Sequence, residues 1–288
     1  MPSRSPHLGV LGSVNLDLVA RIERFPRPGE TLTGASLEQF PGGKGGNQAL
    51  AARRLGAKVS LLACVGDDAN ADPALEHLQR EGVLLGGVQR LDSEPTGLAM
   101  ILVDSEGENQ IVVAPGANAQ LRKEQLQLPQ CDGLLAQLEI PMDTLIHAAT
   151  QHAGFFCLNA APARPVADAL LSHTDLLVVN ELEAEAIGPK LQHFQGLVAV
   201  TRGASGAELL QQGRRLAASN APTVQAIDTV GAGDAFTACL CVSLLSDLAP
   251  AAALERACIA GALATTRRGA QSAPSAAAID AFQASSNT

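Results

Sequence analysis

Short apolar runs alternate with helix-like segments along most of this chain, and that alternation limits its architecture more than any other feature. HLGVLG at 7–12 reads as a first strand, and a helix is expected to open near Asn47 and run through QALAARRLG to Gly56. KVSLLACVG follows as a strand and DPALEHLQREG as a helix that stops at Gly82. Later strands are expected at GLLAQLE, GFFCLNA, DLLVVN and GLVAVT, and helices after Gly233 and across APAAALERACIAGALATT. Such alternation predicts an α/β fold: a doubly wound, mostly parallel sheet with helices on both faces and ligands at the carboxyl ends of its strands. At 288 residues the chain fits one large domain spanning 1–288. Hydrophobic residues make up 47% but aromatics only 2%, so the core must be aliphatic, which suits parallel strands covered on both sides.

Two segments break the pattern. Residues 18–40 and 96–114 alternate like strands of an antiparallel pair, with Gly107 in a turn between two short strands. Together they predict a small antiparallel β-sheet that forms a lid; edge strands of a single sheet are the alternative.

A net charge of −9 leaves no basic footprint for nucleic acid, although a few backbone N–H groups and a metal can still hold a small phosphate ligand. The six cysteines form no C-x-x-C pair and most sit in apolar runs, so they read as buried reduced thiols and point to a reducing cytoplasm. The apolar run near the start is short and interrupted by Asn15 and Asp17, unlike a signal peptide, and no stretch is long enough to span a membrane.

The sharpest motif is DTVGAGDAF, from Asp228 to Phe236. Gly231, Ala232 and Gly233 between a strand-like run and a helix leave N–H groups free at a positive helix end, which can hold a transferring phosphoryl group. Asp234 beside them can take the proton of an attacking hydroxyl, or can simply cap its helix. A second Gly-rich loop, PGGKGGNQ, opens the earlier helix. It lacks the spacing of a P-loop, so Gly43 would let backbone approach a polar ligand while Lys44 and Asn47 supply hydrogen bonds; a tight turn is the other reading. Asn15 and Asp17, placed at the end of the first strand, suit bidentate contact with vicinal sugar hydroxyls, but Asn and Asp are also common turn residues.

Taken together these motifs resemble the ribokinase-like (PfkB) carbohydrate kinase family over roughly residues 7–275. The resemblance is carried by GSVNLDLVARIERFPRPGET, PGGKGGNQA, LACVGDD, EGEN…GAN, QLE, NAAPAR, NELEAE, DTVGAGDAF and TRRGAQ. It implies an ATP-dependent kinase that phosphorylates the 5-hydroxyl of D-ribose; another small sugar or a nucleoside is the alternative acceptor, and a non-catalytic sugar-binding protein a more distant one. On this resemblance Asn15, Asp17, Gly43, Lys44, Asn47 and Glu139 bind the sugar, and Asp234 is the base beside an anion hole of Gly231, Ala232 and Gly233. Asn180 and Glu183 match an N-x-x-E motif that organises Mg²⁺ around the phosphates. Thr201, Gly203, Ser205 and Gly206 match the loop under the adenosine. Asp228, Val230, Ala264, Arg267 and Gly269 match ligands of a monovalent cation, usually K⁺, and a homodimer is implied. Glu139 also reads as a helix-start residue, Glu183 as part of a solvated acidic face with Glu181 and Glu185, and Arg267 as a surface charge. The chain departs from the family in three places. It is short between NELEAE and VAVTRG, it has Cys258 near the adenine, and Ala273 stands where a cation-binding Ser is common, with Ser272 and Ser275 as neighbours.

Overall fold

A computed structural model describes residues 5–286. Strand β1 (His7–Leu11) leads into β2 (Asn15–Arg21) and β3 (Ser36–Gly42), and helix α1 (Lys44–Arg54) follows. Next come β4 (Lys58–Gly66), α2 (Ala71–Arg80), β5 (Leu84–Leu91), β6 (Gly97–Val103) and β7 (Asn109–Ala114). The middle holds β8 (Gly133–Gln137), α3 (Met142–Gln151), β9 (Phe155–Asn159), α4 (Asp168–Leu171), β10 (Leu176–Asn180) and α5 (Glu181–Ile187). The last part comprises β11 (Leu197–Thr201), β12 (Ala207–Gln211), β13 (Arg214–Ser219), α6 (Ala232–Leu245), α7 (Pro250–Ala264) and α8 (Ala276–Ser286).

The main sheet runs β13-β12-β11-β10-β9-β8-β1-β4-β5. From β11 to β5 every pairing is parallel, and the β12–β13 hairpin extends one edge in antiparallel fashion. Winding goes outward from β1 to β4 and β5, then restarts at β8 on the other side and proceeds to β11. The reversal therefore falls between β1 and β8, the place where open α/β sheets bind ligands.

Period-2 patterning explains why helices cover both faces. Leu8, Val10, Leu61, Ala63, Leu135, Leu176 and Val178 point to the face carrying α1, α2, α6, α7 and α8. Their neighbours Leu11, Leu62, Leu134, Ala136, Leu177 and Val179 point to the face carrying α3, α4 and α5. Each fully buried Leu is worth about 2–3 kcal/mol over its exposed state, so slipping one strand by a residue would forfeit a whole row.

A separate four-stranded sheet, β3-β2-β6-β7, lies beside the first. Its outer pairings are antiparallel, as expected of the lid, but the central β2–β6 pairing is parallel. Sequence alternation reports which face a residue takes and says nothing of strand direction, so this pairing was not legible. One face turns a small apolar cluster of Val19, Ala99 and Ile101, backed by Phe40, toward the cleft. On the outer face Leu37, Met100 and Val112 are 48–64% exposed. Among the described residues no helix is long and apolar enough to cross a membrane.

Two boundaries differ from the sequence reading. Helix α1 begins at Lys44, three residues before Asn47, so Gly45 and Gly46 form its first turn. A Cβ on Gly45 would lie 2.6 Å from the Gly12 carbonyl carbon, and the glycines therefore buy close packing of the helix start on the β1 exit. Asn15 and Asp17 stand on β2 in the small sheet, not at the end of β1.

Candidate active site

The carboxyl end of the sheet at the β1/β8 reversal gathers most of the expected residues. Helix α6 starts at Ala232 behind Gly231, whose φ of +80° is left-handed backbone that a side chain rarely tolerates. A Cβ there would also come within 2.1 Å of the Ala270 carbonyl oxygen. No side chain caps this helix, and its first internal bond runs from the Ala235 N–H to the Gly231 carbonyl. Ala232 N–H bonds back to the Thr229 carbonyl at 3.3 Å, while a Cβ added at Gly233 would meet open space. Ala232 apart, the first turn thus presents N–H groups of Gly233 and Asp234 with no described partner, and a positive end, to a recess.

Asp234 lines that recess, 7% exposed, with Lys44, Glu183, Asn180 and Thr201, and the recess holds about 160 Å³. Its Oδ2 accepts from Asn47 Nδ2 at 2.9 Å and its Oδ1 from Gln48 Nε2 at 2.8 Å. The carboxylate is therefore oriented by α1 across the interface of α1 and α6 and does not cap its own helix. Asn47 Oδ1 is buried and has no described partner.

Among the residues expected to bind the sugar, Glu139 follows β8 and accepts from the Lys44 N–H at 3.1 Å and from the Ser13 hydroxyl. It ties the start of α1 to the β1 exit, so the helix it serves is α1, not the one after Pro141. Asn15 Oδ1 accepts from Asn118 Nδ2 at 2.8 Å, and Asn118 also bonds both backbone groups of Val14. Asp17 is 7% exposed and receives no hydrogen bond from a described residue. It opens onto a cavity of about 330 Å³ under the small sheet, shared with Arg21, Phe40, Asp228, Val230 and Gly269. Burial, reinforced by the charges of Glu139 and Asp234, pushes Asp17 up to about 7, against the pull of Lys44. Burial works against the charge on Lys44, but Asp234, Glu139, Glu183 and Asp17 outweigh it and hold its pKa above the ordinary value. Gly43 N-caps α1 with φ +82°, its α-carbon side packed on the backbone of Val14 and Asn15.

Of the residues expected around the nucleotide and its metal, Asn180 and Glu183 form a capping box on α5. Asn180 Oδ1 accepts from the Glu183 N–H and Glu183 Oε2 from the Asn180 N–H, each at 2.8 Å. Glu183 is buried, unlike Glu181 and Glu185, so it is not part of a solvated face. Burial raises its pKa, with the charge of Asp234 adding and Asn180 and Lys44 opposing. A groove of about 530 Å³ adjoins the recess, lined by Asn180, Thr201, Gly203, Gly206, Gly233 and Cys258 among others. Ser205 lies in the same turn as Gly203 but does not line it. Cys258 sits in the groove wall, its thiol 3.6 Å from the Ser219 carbonyl oxygen. The short stretch after α5 is a single six-residue 3₁₀ segment, Gly188–His193, before β11.

The loop carrying the expected cation ligands is laced by Asp228. Its Oδ1 accepts from the Val230 N–H at 3.0 Å and its Oδ2 from the Gly269 N–H at 2.9 Å. The Ala264 carbonyl already accepts from Ser272 Oγ at 2.9 Å and from the Arg267 N–H at 3.4 Å. The Arg267 side chain is exposed, and Ser275 serves α8 by accepting from the Ala278 N–H.

Four residues that the sequence reading passed over belong to this assembly: Ser13, Gln48, Asn118 and Gln137. Gln137 carries a signal, as a lone amide in the apolar run GLLAQLE; Ser13, Gln48 and Asn118 stand in GSVNLD, GGKGGNQ and GAN beside residues with more evident chemistry.

A helix end that can hold an anion, a buried carboxylate beside it and a groove leading into both meet the demands of phosphoryl transfer to a hydroxyl. The fold and site thus define an α/β phosphotransferase acting on a small molecule. The chain belongs to the pfkB family of carbohydrate kinases, whose description matches residues 5–277. It is 36% identical to the ribokinase of Haemophilus influenzae, with 92% of this chain and 94% of that one covered. The ribokinase of Thermotoga maritima superposes with a TM-score of 0.90 at 33% identity, covering 97% of this chain and 99% of that one. An Arabidopsis thaliana ribokinase complexed with ribose and ATP superposes at 0.85 with 28% identity and coverage of 97% and 99%.

Proposed function

We propose that this enzyme transfers the γ-phosphoryl group of ATP to the 5-hydroxyl of D-ribose. The observation that carries the reading is the recess in which Asp234 and the open start of α6 meet, adjoining a groove that shares Asn180, Thr201 and Gly233 with it. Likeness to ribokinases across nearly the whole chain supports the choice of sugar.

In this reading Asp17 and Asn15 receive the ribose hydroxyls, and Asn47 offers its unpartnered Oδ1 to another. Asp234 takes the 5-hydroxyl proton as that oxygen bonds to the γ-phosphorus; the bond to the bridging oxygen breaks and ADP leaves. Gly231, Ala232 and Gly233 face the charge on the transferring group, with Lys44 beside it. Thr201, Gly203, Ser205 and Gly206 form the turn under the adenosine, and Asn180 reaches the phosphates.

Mg²⁺ arrives with ATP. Glu183 fits a water-mediated role, because only one of its oxygens is spent on Asn180 and the other has no described partner. The K⁺ set fits in part. The Ala264 carbonyl is already doubly bonded, whereas the carbonyls of Val230, Arg267 and Gly269 take no described hydrogen bond and stand with the Asp228 carboxylate as hard oxygen donors. A cation held there would reinforce the loop before α6.

The small sheet acts as the lid of a single kinase domain, and its exposed outer face of Leu37, Met100 and Val112 suits a second copy, giving a homodimer. Six free thiols fit a cytoplasmic setting.

The test is ADP release from ATP with Mg²⁺, with and without K⁺, across D-ribose, deoxyribose, hexoses and nucleosides. Turnover with D-ribose that Asp234→Asn lowers by about 10²–10⁴ is expected. Turnover only with another acceptor would overturn the sugar assignment, and an Asp234→Asn variant of full activity would overturn the mechanism.

A further inference from the structure

Three buried amides form a chain that ends on the expected base. Gln137 on β8 donates through Nε2 to Gln48 Oε1 at 2.6 Å. Gln48 on α1 spends its two N–H groups on Asp234 Oδ1 at 2.8 Å and on Asn159 Oδ1 at 2.9 Å. Asn159, at the end of β9, is anchored in turn by donating to the Val178 carbonyl at 3.3 Å. Gln48 and Gln137 are fully buried, and Asn159 is 7% exposed.

This arrangement admits one orientation of the Gln48 amide. Turning it over would set its oxygen against two acceptors and break three hydrogen bonds, each costly to lose in a buried site. An aliphatic core needs no such chain for packing, since polar groups replaced together by apolar ones of the same shape can be close to neutral. Asp234 Oδ2 has a single described donor, Asn47 Nδ2 at 2.9 Å, and Asn47 Oδ1, like Gln137 Oε1, is buried with no described partner.

We propose that Gln48, locked by Gln137 and Asn159, is a positioning residue for the base: it holds Oδ1 of Asp234 and leaves Oδ2 to receive the sugar proton. Phosphoryl transfer depends on the attacking oxygen and its base meeting within a fraction of an ångström, so a carboxylate free to rotate would cost turnover, not affinity. Charged groups face this carboxylate from every element packed around the recess. Those groups are Asp17 from β2, Glu139 after β8 and Glu183 from α5, balanced by Lys44 from α1 and the positive end of α6.

The proposal rests on the reading of Asp234 as the base, and the experiment separates the two. Gln48→Met and Gln137→Met keep side-chain length without the amide; thermal melting establishes that they fold, and steady-state kinetics follow with saturating ATP and D-ribose. Expected for Gln48→Met is a kcat about 10–100-fold lower with both KM values within about threefold, and an acid limb of the kcat profile moved to higher pH. Gln137→Met, which does not touch Asp234, moves kcat and the limb in the same direction by less. Unchanged kcat in Gln48→Met, or a loss confined to KM with the acid limb in place, overturns the proposal while wild-type turnover leaves the base assignment standing. Wild-type protein inactive on every acceptor overturns both. Should the Met variants fail to fold, the near-isosteric Gln48→Glu decides. A carboxyl set against Asp234 moves the acid limb up by more than about one pH unit if Gln48 faces the working base, and an unmoved limb overturns the idea.

Discussion

The substitution Asp17→Asn removes a carboxylate that is 7% exposed and has no described hydrogen-bond donor, while leaving a side chain of the same shape. Its pKa stands at about 7 in the fold, against roughly 3.9 in an unfolded chain, a difference of about 3 units. At 1.36 kcal/mol per unit this is a cost of about 4 kcal/mol to hold the ionised group in the ligand-free cleft. Water in the open cavity screens part of it, leaving about 2–4 kcal/mol. Because the folded pKa is raised, the cost is absent below about pH 4, where both states are protonated. It grows as pH rises through the window from about 4 to 7, and is complete above 7. Asp17→Asn should therefore raise Tm at pH 8.5 by about 4–8 °C, with a gain at pH 5 less than half as large. The same variant loses the charged acceptor for ribose hydroxyls, so the KM for D-ribose should rise about 10–100-fold. Differential scanning calorimetry at the two pH values and steady-state kinetics measure both effects. A Tm difference that is equal at pH 5 and pH 8.5, or a variant less stable than wild type at pH 8.5, would refute the account of Asp17 as a charge kept in readiness for its ligand.

Two further outcomes follow from geometry. Gly231→Ala places a Cβ 2.1 Å from the Ala270 oxygen at a backbone φ of +80°; calorimetry should show a loss of more than about 1 kcal/mol, and kinetics a kcat lowered about 10²-fold as the helix start shifts. Wild-type activity in this variant would show that the N–H groups of this turn do not serve the reaction. Met100→Glu puts a charge at the centre of the exposed outer face, opposite Val112. Sedimentation should show a dimer in wild type and a monomer in the variant, and a dimer that survives the change would remove this face as the interface.

Much of the fold was legible because its signal is local. Short, near-continuous apolar runs such as KVSLLACVG and DLLVVN suit strands buried on both faces, and alternation with helices leaves a doubly wound sheet. The start of α6 was equally plain, since Gly-Ala-Gly before an acidic residue and an apolar helix announces an exposed helix end. The edge strand β5, the β12–β13 hairpin and α8 are not among the expected elements; their weaker patterning is decided by packing on the sheet edges and on α7.

What the sequence by itself determined was the class of fold, the Gly-Ala-Gly turn that opens α6 at Gly231–Gly233, and the residue types that phosphoryl transfer requires. Tertiary structure alone decided their partners. In one dimension Asp234 can be read as a base or as a helix cap, and its hydrogen bonds come from Asn47 and Gln48, more than 180 residues away. Glu139 reads as the start of its own helix, yet it serves the start of α1 through Lys44 and Ser13. Period and propensity act over a few residues and leave their mark on neighbouring letters. The pKa of Asp17 and the amide chain through Gln48 arise from groups brought together only when the strands on either side of β1 close into one sheet.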